Sequence, residues 1–291
     1  MSDDRETRNA IFSQQLPQGV QQGMPTQTAA QRMRADFGMD IPQETVPLPS
    51  SGKTYPKESP VYCAETVDIR AMTAREEDIL NSRALIKKGT VITALIKSCL
   101  INPAIEPLDL LSGDRNALMV SIRVTGYGPL YEVEMECGEC EVKAPREFNL
   151  GELPIKRLEI DPVIPATNLF EFKLPQTGKT VRFKFMTGRD EEDMMQMGEK
   201  QKKLGLRQSE SNVTTSLLYT IVSVDGIEDR AKIAGFIKGM PAFDSLALRN
   251  YIKNNEPGIS MKQVVSCPAC GHEEEVSMPM GVTFLWPGAG K

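Results

Sequence analysis

Cys137-Gly-Glu-Cys140 and Cys267-Pro-Ala-Cys270 are the two stretches that decide how this chain folds. In a Cys-X-X-Cys turn both sulfurs can bind one ion, and four thiolates suit the tetrahedral geometry of Zn²⁺. The two stretches are separated by 126 residues, whereas an ordinary zinc ribbon has a loop of roughly 15 to 20 residues. The longer loop adds only about 2 kcal/mol of closure entropy, compared with an apparent affinity of about 10 to 16 kcal/mol for structural zinc. The length of the loop therefore does not exclude one shared site, and we predict one structural zinc ion per chain with Cys137, Cys140, Cys267 and Cys270 as its ligands.

The composition of the chain indicates a soluble protein whose partners are other proteins. Its 291 residues are 40% hydrophobic, which is enough for one large domain or two ordinary ones. The net charge of −5 argues against nonspecific nucleic-acid binding, which needs a basic surface. The sequence near Met1 is polar and acidic, and the apolar run Val91 to Ile96 is far shorter than the roughly 20 residues that cross a bilayer. We expect neither secretion nor membrane insertion, and we expect Cys63 and Cys99 to be buried free thiols in a reducing cytosol.

Residues 1–45 are predicted to form an extended or disordered N-terminal arm. They are rich in Gln with scattered Pro, Gly and Met, and no apolar period runs through them. Such a segment cannot bury enough apolar surface to fold alone. It is either a disordered tail or a segment that becomes ordered against partner subunits, and the sequence leaves both readings open.

The rest of the chain contains a pattern that occurs twice. A short alternating strand runs into a Met-Thr dipeptide and an acidic helix start, first at Val67 to Leu80 and again at Val181 to Met195. The threonine of each dipeptide is a candidate N-cap, and the carboxylates that follow favour the positive end of a helix. A second, apolar helix is predicted after each of these segments, at 90–99 and at 213–224. Farther along, Asp114 lies 23 residues before Cys137, and the corresponding Asp244 lies 23 residues before Cys267.

This repetition predicts an α+β fold of two tandem duplicated units. The first unit is predicted at residues 46–160 and the second at residues 161–291, and an alternating strand leads into the cysteine pair of each. One pair cannot close a four-ligand shell, so a pseudo-twofold pairing of the two units would bring the pairs together at a shared zinc site. The alternative is that each pair forms half of a site that another subunit completes.

The chain lacks the residues that most catalytic sites need. His272 is the only histidine, which nearly excludes Ser-His-Asp, Cys-His and multi-histidine metal catalysis. The acidic runs at 76–78 and 190–193 fit the first turns of helices, and the sequence has no Walker or Gly-X-Gly-X-X-Gly motif. Cys-Pro-X-Cys resembles an oxidoreductase dithiol, but Cys270 is followed by a glycine, a histidine and three glutamates rather than by a helix. We predict that the protein is not an enzyme, that it has no small-molecule substrate, and that His272 is an exposed neighbour of the metal; a role as ligand or as donor to a thiolate is the alternative.

Several segments, taken in order, resemble one family of proteins. They are Val46-Pro-Leu-Pro-Ser-Ser-Gly-Lys-Thr-Tyr55, Ile69-Arg-Ala-Met-Thr-Ala-Arg-Glu-Glu-Asp-Ile-Leu80, Leu95-Ile-Lys-Ser-Cys99, the two cysteine pairs and Thr283-Phe-Leu-Trp-Pro287. Over about residues 46 to 287 the chain resembles the baseplate hub proteins of T-even-type contractile-tailed bacteriophages. Members of this family are described both as hub subunits and as hub assembly factors.

The resemblance implies a structural or assembly role and no catalytic activity. The implied partners are other baseplate hub and tail proteins, with the tape-measure protein as a candidate. The implied location is the virion tail baseplate, after assembly in the host cytoplasm. Members differ in whether they keep both cysteine pairs, so the zinc prediction depends on the spacing in this chain.

Two other functions fit the cysteine pairs taken alone. A zinc-ribbon nucleic-acid-binding or transcription factor would need a basic face, but the residues around the pairs, at 132–141 and 272–275, are mainly acidic. A metal-dependent enzyme would need an open position on the zinc, whereas four cysteines close its shell.

Overall fold

The computed structural model describes residues 38–203, 212–278 and 282–285. Contacts between residues divide the chain into two units, Met1–Ile41 and Pro42–Lys291, and the second unit contains both cysteine pairs. Residues 1–37 of the predicted arm lie outside the described residues, and a β-strand already begins at Gln43. In the described part of the chain, no helix is both long enough and apolar enough to cross a membrane.

Helices and short strands alternate along the described chain, so the fold is α+β, as the sequence predicts. The helices are α1 (Ala74–Asn81), α2 (Arg83–Lys88), α3 (Val91–Cys99), α4 (Ser112–Tyr127), α5 (Gly188–Lys203), α6 (Asn212–Thr220), α7 (Arg230–Gly239), α8 (Ala242–Asn255) and α9 (Val282–Leu285). The strands are β1 (Gln43–Pro47), β2 (Thr66–Arg70), β3 (Leu130–Glu136), β4 (Lys143–Asn149), β5 (Ile155–Lys156), β6 (Phe170–Lys173), β7 (Thr180–Phe183), β8 (Ile221–Val224), β9 (Gly258–Ile259), β10 (Lys262–Ser266) and β11 (Glu273–Ser277).

The strands form small antiparallel sheets. β1 pairs with β2, and β6, β7 and β8 form a three-stranded sheet with β7 in the middle. β3 pairs with β4, and β10 pairs with β11, so that each cysteine pair lies in the turn of a hairpin. β5 pairs with β9 through Ile155 opposite Ile259, which joins the segment after the first hairpin to the segment before the second.

The two Met-Thr dipeptides cap α1 and α5, as predicted. The backbone N–H and the hydroxyl of Thr73 donate to the carboxylate of Glu76 at 2.9 and 2.7 Å. Thr187 donates in the same way to Asp190, at 3.0 and 2.8 Å. A carboxylate at the third helical position is stabilised by these donors and by the positive end of the helix. The acidic runs after the dipeptides therefore include residues that start helices.

Two loops of similar sequence dock on the helices that precede the hairpins. Leu48-Pro-Ser-Ser-Gly-Lys-Thr54 reaches α4, where the N–H and hydroxyl of Ser50 donate to the buried carboxylate of Asp114 at 2.9 and 2.6 Å. Leu174-Pro-Gln-Thr-Gly-Lys-Thr180 reaches α8, where the N–H and hydroxyl of Thr177 donate to the buried Asp244 at 3.0 and 2.7 Å. Buried carboxylates are tolerated only when they are hydrogen-bonded in this way. These contacts fix the positions of α4 and α8, and with them the hairpins that follow.

The buried apolar side chains of the described residues form one core cluster, to which both halves of Pro42–Lys291 contribute. Phe170, Phe183 and Phe185 pack with ring centroids 4.7 to 5.8 Å apart, and Phe284 meets Tyr131 edge to face at 5.3 Å. Large aromatic side chains contribute much of the buried apolar area of a core. The C-terminal helix α9 is therefore anchored beside the first hairpin.

Two sequence predictions were wrong. The apolar run at 213–224 is not one helix, because α6 ends at Thr220 and the last four residues form β8. By its local sequence alone, Ile-Val-Ser-Val at 221–224 could form either a helix or a strand. It forms a strand because it pairs with β7. The second wrong prediction is that Cys63 is buried: it is exposed, in a turn with a left-handed φ of 52°. Cys99 is buried as predicted, and burial raises the pKa of its thiol to about 12.

Candidate metal centre

The two cysteine pairs lie in hairpin turns of the same backbone shape, which we call the first knuckle (137–142) and the second knuckle (267–272). In the first knuckle the Cys137 N–H donates to the Val142 carbonyl at 3.1 Å, and the Glu141 N–H donates to the Cys137 carbonyl at 3.0 Å. The second knuckle has the corresponding two bonds, from Cys267 and from Gly271, at 2.8 Å each. Glu141 and Gly271 close the turns with left-handed φ values of 56° and 75°. Each hairpin therefore presents its two thiols from a similar turn.

The structure brings all four predicted ligands together. The four Sγ atoms lie within 4.8 Å of one another, and in the described residues no other group of histidine, cysteine and acidic side chains has such ligand spacing. Across the two knuckles, Cys137 Sγ lies 3.8 Å from Cys270 Sγ, and Cys140 Sγ lies 3.8 Å from Cys267 Sγ. A tetrahedral ion with metal–sulfur bonds of about 2.3 Å places its sulfurs about 3.8 Å apart. The four thiols thus have the chemistry and the spacing that a tetrahedral thiophilic ion needs.

Backbone N–H groups favour the thiolate form of two of the four cysteines, whereas at Cys270 the N–H of His272 is outweighed by burial and by the other three cysteines, which raise the pKa to about 12. The pKa of Cys267 is lowered to about 6, first of all because the Cys270 N–H points at its sulfur. The pKa of Cys137 is lowered as well, chiefly by the N–H groups of Cys140 and Glu139. Thiolates, rather than thiols, are the form that binds metal. Cys137 and Cys267 are also the two buried members of the cluster, whereas Cys140 is half-buried and Cys270 is exposed.

A second contact joins the two hairpins beside the cysteines. β4 of the first hairpin packs against β10 of the second. The guanidinium of Arg146, which is 2% exposed, lies 3.5 Å from the carboxylate of Glu274. Farther from the knuckles, the side-chain amide of Gln263 donates to the Asn149 carbonyl at 3.1 Å. The arrangement of the sulfurs is therefore supported by polar contacts between the same two hairpins.

The surface around the knuckles is acidic. Glu139 and Glu141 are exposed on the first knuckle, and Glu273 is exposed just after the second. His272 is also exposed; its carbonyl accepts the Cys267 N–H, and its side chain is not part of the four-cysteine group. An acidic rim repels phosphates, so it is unlike the basic face that nucleic-acid-binding modules use.

Sequence reasoning missed two features that position the site. The paired loops on Asp114 and Asp244 were recognisable from the shared pattern Leu-Pro-X-Ser/Thr-Gly-Lys-Thr. The burial of Arg146 could not be recognised from the sequence, because an arginine in an alternating strand is normally expected on the face exposed to solvent. The observed register instead puts it on the inner face of β4, with Ala144 and Phe148.

Comparison with known proteins gives one match. The model of a family described as T4 bacteriophage base plate protein matches residues 41–286. Searches of the curated proteins and of the solved structures found no match. The matched range covers most of the chain and includes both knuckles.

Proposed function

This chain belongs to the T4 bacteriophage base plate protein family, and on that basis we propose that it is a structural or assembly protein of the baseplate hub of a contractile phage tail. The observation that carries the proposal is the family match over residues 41–286, which is nearly the whole unit Pro42–Lys291. Membership in this family implies interaction with other phage tail proteins and a location in the tail of the virion. Within the baseplate, we propose the hub as the location of this protein.

The proposed task of the four cysteines is to hold one structural zinc ion that clamps the two hairpins together. The support comes from the sulfur-to-sulfur distances of 3.8 Å and from the N–H groups that favour the thiolates of Cys137 and Cys267. Zinc with four thiolate ligands has no open coordination position, so it would act in folding and not in catalysis. The ligands are Cys137, Cys140, Cys267 and Cys270, and one chain supplies all of them.

We further propose that the two halves, at 46–160 and 161–291, arose by tandem duplication. Three paired features support this: the capped Met-Thr turns, the Leu-Pro-X-Ser/Thr-Gly-Lys-Thr loops on Asp114 and Asp244, and the knuckles. Each feature occurs once per half and in the same order. In this account the zinc site is the place where the corresponding ends of the two units meet.

The proposed partners are other hub and tail proteins, with the tape-measure protein as a candidate, and assembly takes place in the host cytoplasm. We also propose that the N-terminal segment that precedes β1 wraps around neighbouring subunits. The acidic surface of the knuckles supports protein partners rather than nucleic acid.

Mass spectrometry of purified virions beside hubs isolated before tail assembly tests this function. A hub subunit is expected in both samples, and an assembly factor is expected only in the isolated hubs. If the protein is absent from both samples although the infected cells express it, the proposal of a hub role is wrong.

A further inference from the structure

A groove between α2 and α5 is not explained by the metal site. One part of it, which we call the apolar cavity, has a volume of about 420 Å³, within the range of about 300 to 1,000 Å³ that is usual for ligand sites. Its walls come from α1 to α5 and from α9, and they are mainly apolar. Two of the lining side chains, Ile86 and Met195, are 46% and 53% exposed. The apolar cavity therefore opens to the surface of the described chain.

A second cavity, of about 620 Å³, continues the groove. Both cavities are lined by Met195, and Gly89 of the apolar cavity lies between Lys88 and Thr90 of the second one. The side chain of Met195 packs directly on Gly89, where a Cβ would lie 2.2 Å from Sδ. The two cavities therefore form one groove, with a methionine where they meet. Methionine is flexible and adapts its shape to a bound partner.

The second cavity is basic, so we call it the lysine cavity. Lys87 and Lys88 from α2 and Lys200 from α5 line it, beside the carboxylate of Glu199. All three lysines are exposed, and within residues 38–203, 212–278 and 282–285 no carboxylate forms an ion pair with them. The whole chain, in contrast, has a net charge of −5. A cluster of cations without anionic partners favours an occupant that carries carboxylates.

The apolar cavity contains one buried cation in its wall. Arg115 is 5% exposed, and its Nε and Nη1 atoms have no hydrogen-bond partner in the described part of the chain. Its Nη1 lies 3.6 Å from the carboxylate of Glu191, and its Nη2 donates to the hydroxyl of Thr93 at 3.1 Å. A buried N–H group without an acceptor is unfavourable, so a peptide oxygen placed against this guanidinium would be stabilised. This end of the groove therefore suits an apolar side chain that belongs to a peptide.

We propose that the groove between α2 and α5 binds an acidic segment of a partner protein. A bulky apolar side chain of the segment fills the apolar cavity, and neighbouring carboxylates lie on Lys87, Lys88 and Lys200. Peptides that bind between two helices commonly use apolar anchors in this way, and charges at the rim select the partner. The chemistry of the groove depends neither on the zinc site nor on the role at the hub.

Selection from a synthetic library of random peptides, with the full-length protein as bait, tests the proposal. The enriched peptides are expected to combine a bulky apolar residue with neighbouring Asp or Glu. Fluorescence polarisation of the labelled peptides then measures their affinity. The affinity should fall as the salt concentration rises, because salt screens the contacts with the three lysines.

Two substitutions in the groove should each weaken binding of the enriched peptides by about tenfold. Met195→Ala removes apolar surface where the cavities meet, and Lys88→Glu reverses a charge of the lysine cavity. Met197→Ala is the matched control for the first, since Met197 is 50% exposed on the same helix and is not among the lining residues. Lys238→Glu is the control for the second, since Lys238 is an exposed lysine in the last turn of α7. Both controls should bind the peptides as the unchanged protein does, and circular dichroism should show the same fold for all four variants.

Three results would overturn the proposal. The first is enrichment of basic peptides or of no peptides at all. The second is that the enriched peptides bind Met195→Ala and Lys88→Glu as tightly as the unchanged protein, because they would then bind elsewhere. The third is a concentration-dependent dimer in sedimentation that Met195→Ala abolishes, because a second copy of the chain would then occupy the groove. These results say nothing about the presence of the protein in virions, so the proposed hub role is tested separately.

Discussion

The helices that precede the two knuckles, α4 and α8, both start with a buried aspartate that accepts hydrogen bonds from a loop, but their surroundings are opposite. The first turn of α4 is buried against the second half of the chain: the Ser112 N–H donates to the Met186 carbonyl at 2.9 Å, and a Cβ on Gly113 would lie 1.8 Å from the Pro257 carbonyl oxygen. At the corresponding place in α8, Phe243 is 63% exposed. One helix start is therefore an internal contact surface, and the other faces outward.

The comparison of α4 with α8 shows that two segments of similar local sequence can pack against different surroundings. The loop that docks on Asp114 or on Asp244 requires only a few residues, so both halves can form it. The residue just before each aspartate decides what can approach next, since glycine admits a backbone and phenylalanine does not. The two halves thus share their local structures but differ in which surfaces meet. The following substitutions distinguish contacts that occur in both halves from contacts that occur in only one of them.

The largest effect is expected at the knuckles, which both halves supply. Cys137→Ser and Cys267→Ser should each abolish zinc binding and lower the free energy of unfolding by on the order of 5 kcal/mol or more, because structural zinc contributes about 10 to 16 kcal/mol of apparent binding energy. Denaturant unfolding with parallel metal analysis measures both effects. Cys63→Ser, at an exposed thiol outside the cluster, should change neither. Equal loss of stability in the Cys63 variant would show that the effect is not due to the metal site.

The capping carboxylate of the first half should give a pH-dependent effect. Burial tends to raise the pKa of Glu76, but hydrogen bonds from Arg70, Ser98 and Thr73 outweigh it and lower the pKa from 4.5 to about 2. A lowered pKa in the folded state gives stability that is present above pH 4.5 and is lost as the pH falls toward 2. Glu76→Gln should therefore cost roughly 3 kcal/mol at pH 7, and the difference from the unchanged protein should vanish in acid.

Asp78→Asn, on the exposed side of the same helix, is the control for Glu76. It should cost less than about 0.5 kcal/mol. Denaturant unfolding at a series of pH values gives the comparison. A cost of Glu76→Gln that stays constant between pH 7 and pH 2.5 would contradict the assignment.

A smaller effect is expected where the halves differ most clearly. Gly113→Ala should destabilise the protein by about 1 to 3 kcal/mol, because the added methyl group meets backbone atoms of Pro257 that cannot move freely. Gly235→Ala is the matched control in α7, where a Cβ meets no atom within 4 Å. It should stabilise the protein by up to about 1 kcal/mol through helix propensity. Thermal unfolding of both variants shows whether close backbone approach, rather than loss of glycine, matters at residue 113.

The smallest effect is expected at the outward face of α8. Phe243→Ala should change the stability of the isolated protein by less than about 0.5 kcal/mol, since most of the side chain is already in water. A loss of 2 kcal/mol or more in thermal unfolding would mean that this face is covered in the free protein, and the contrast with α4 would no longer hold.

Much of this structure could be predicted from the sequence, and the failures have physical causes. Cysteine spacing and the capped Met-Thr turns are local features, so their hairpins and helix starts were predictable. Whether residues 221–224 form a helix or a strand depends on pairing with β7, which no local pattern contains. The inward position of Arg146 depends on the register of β4 and on Glu274 in the other half. The meeting of the two knuckles was predicted from ligand chemistry, because two sulfurs do not complete a tetrahedral shell.

Native mass spectrometry of the purified protein, combined with metal analysis, tests the central claim that one zinc ion clamps the two halves of a single chain. The account predicts one zinc per monomer, held by all four cysteines, and cooperative loss of folded structure when a chelator removes it. A metal-free protein that is fully stable in chelator would contradict the account. Zinc found only in dimers, with none in the monomer, would also contradict it, because each knuckle would then be completed by another copy of the chain.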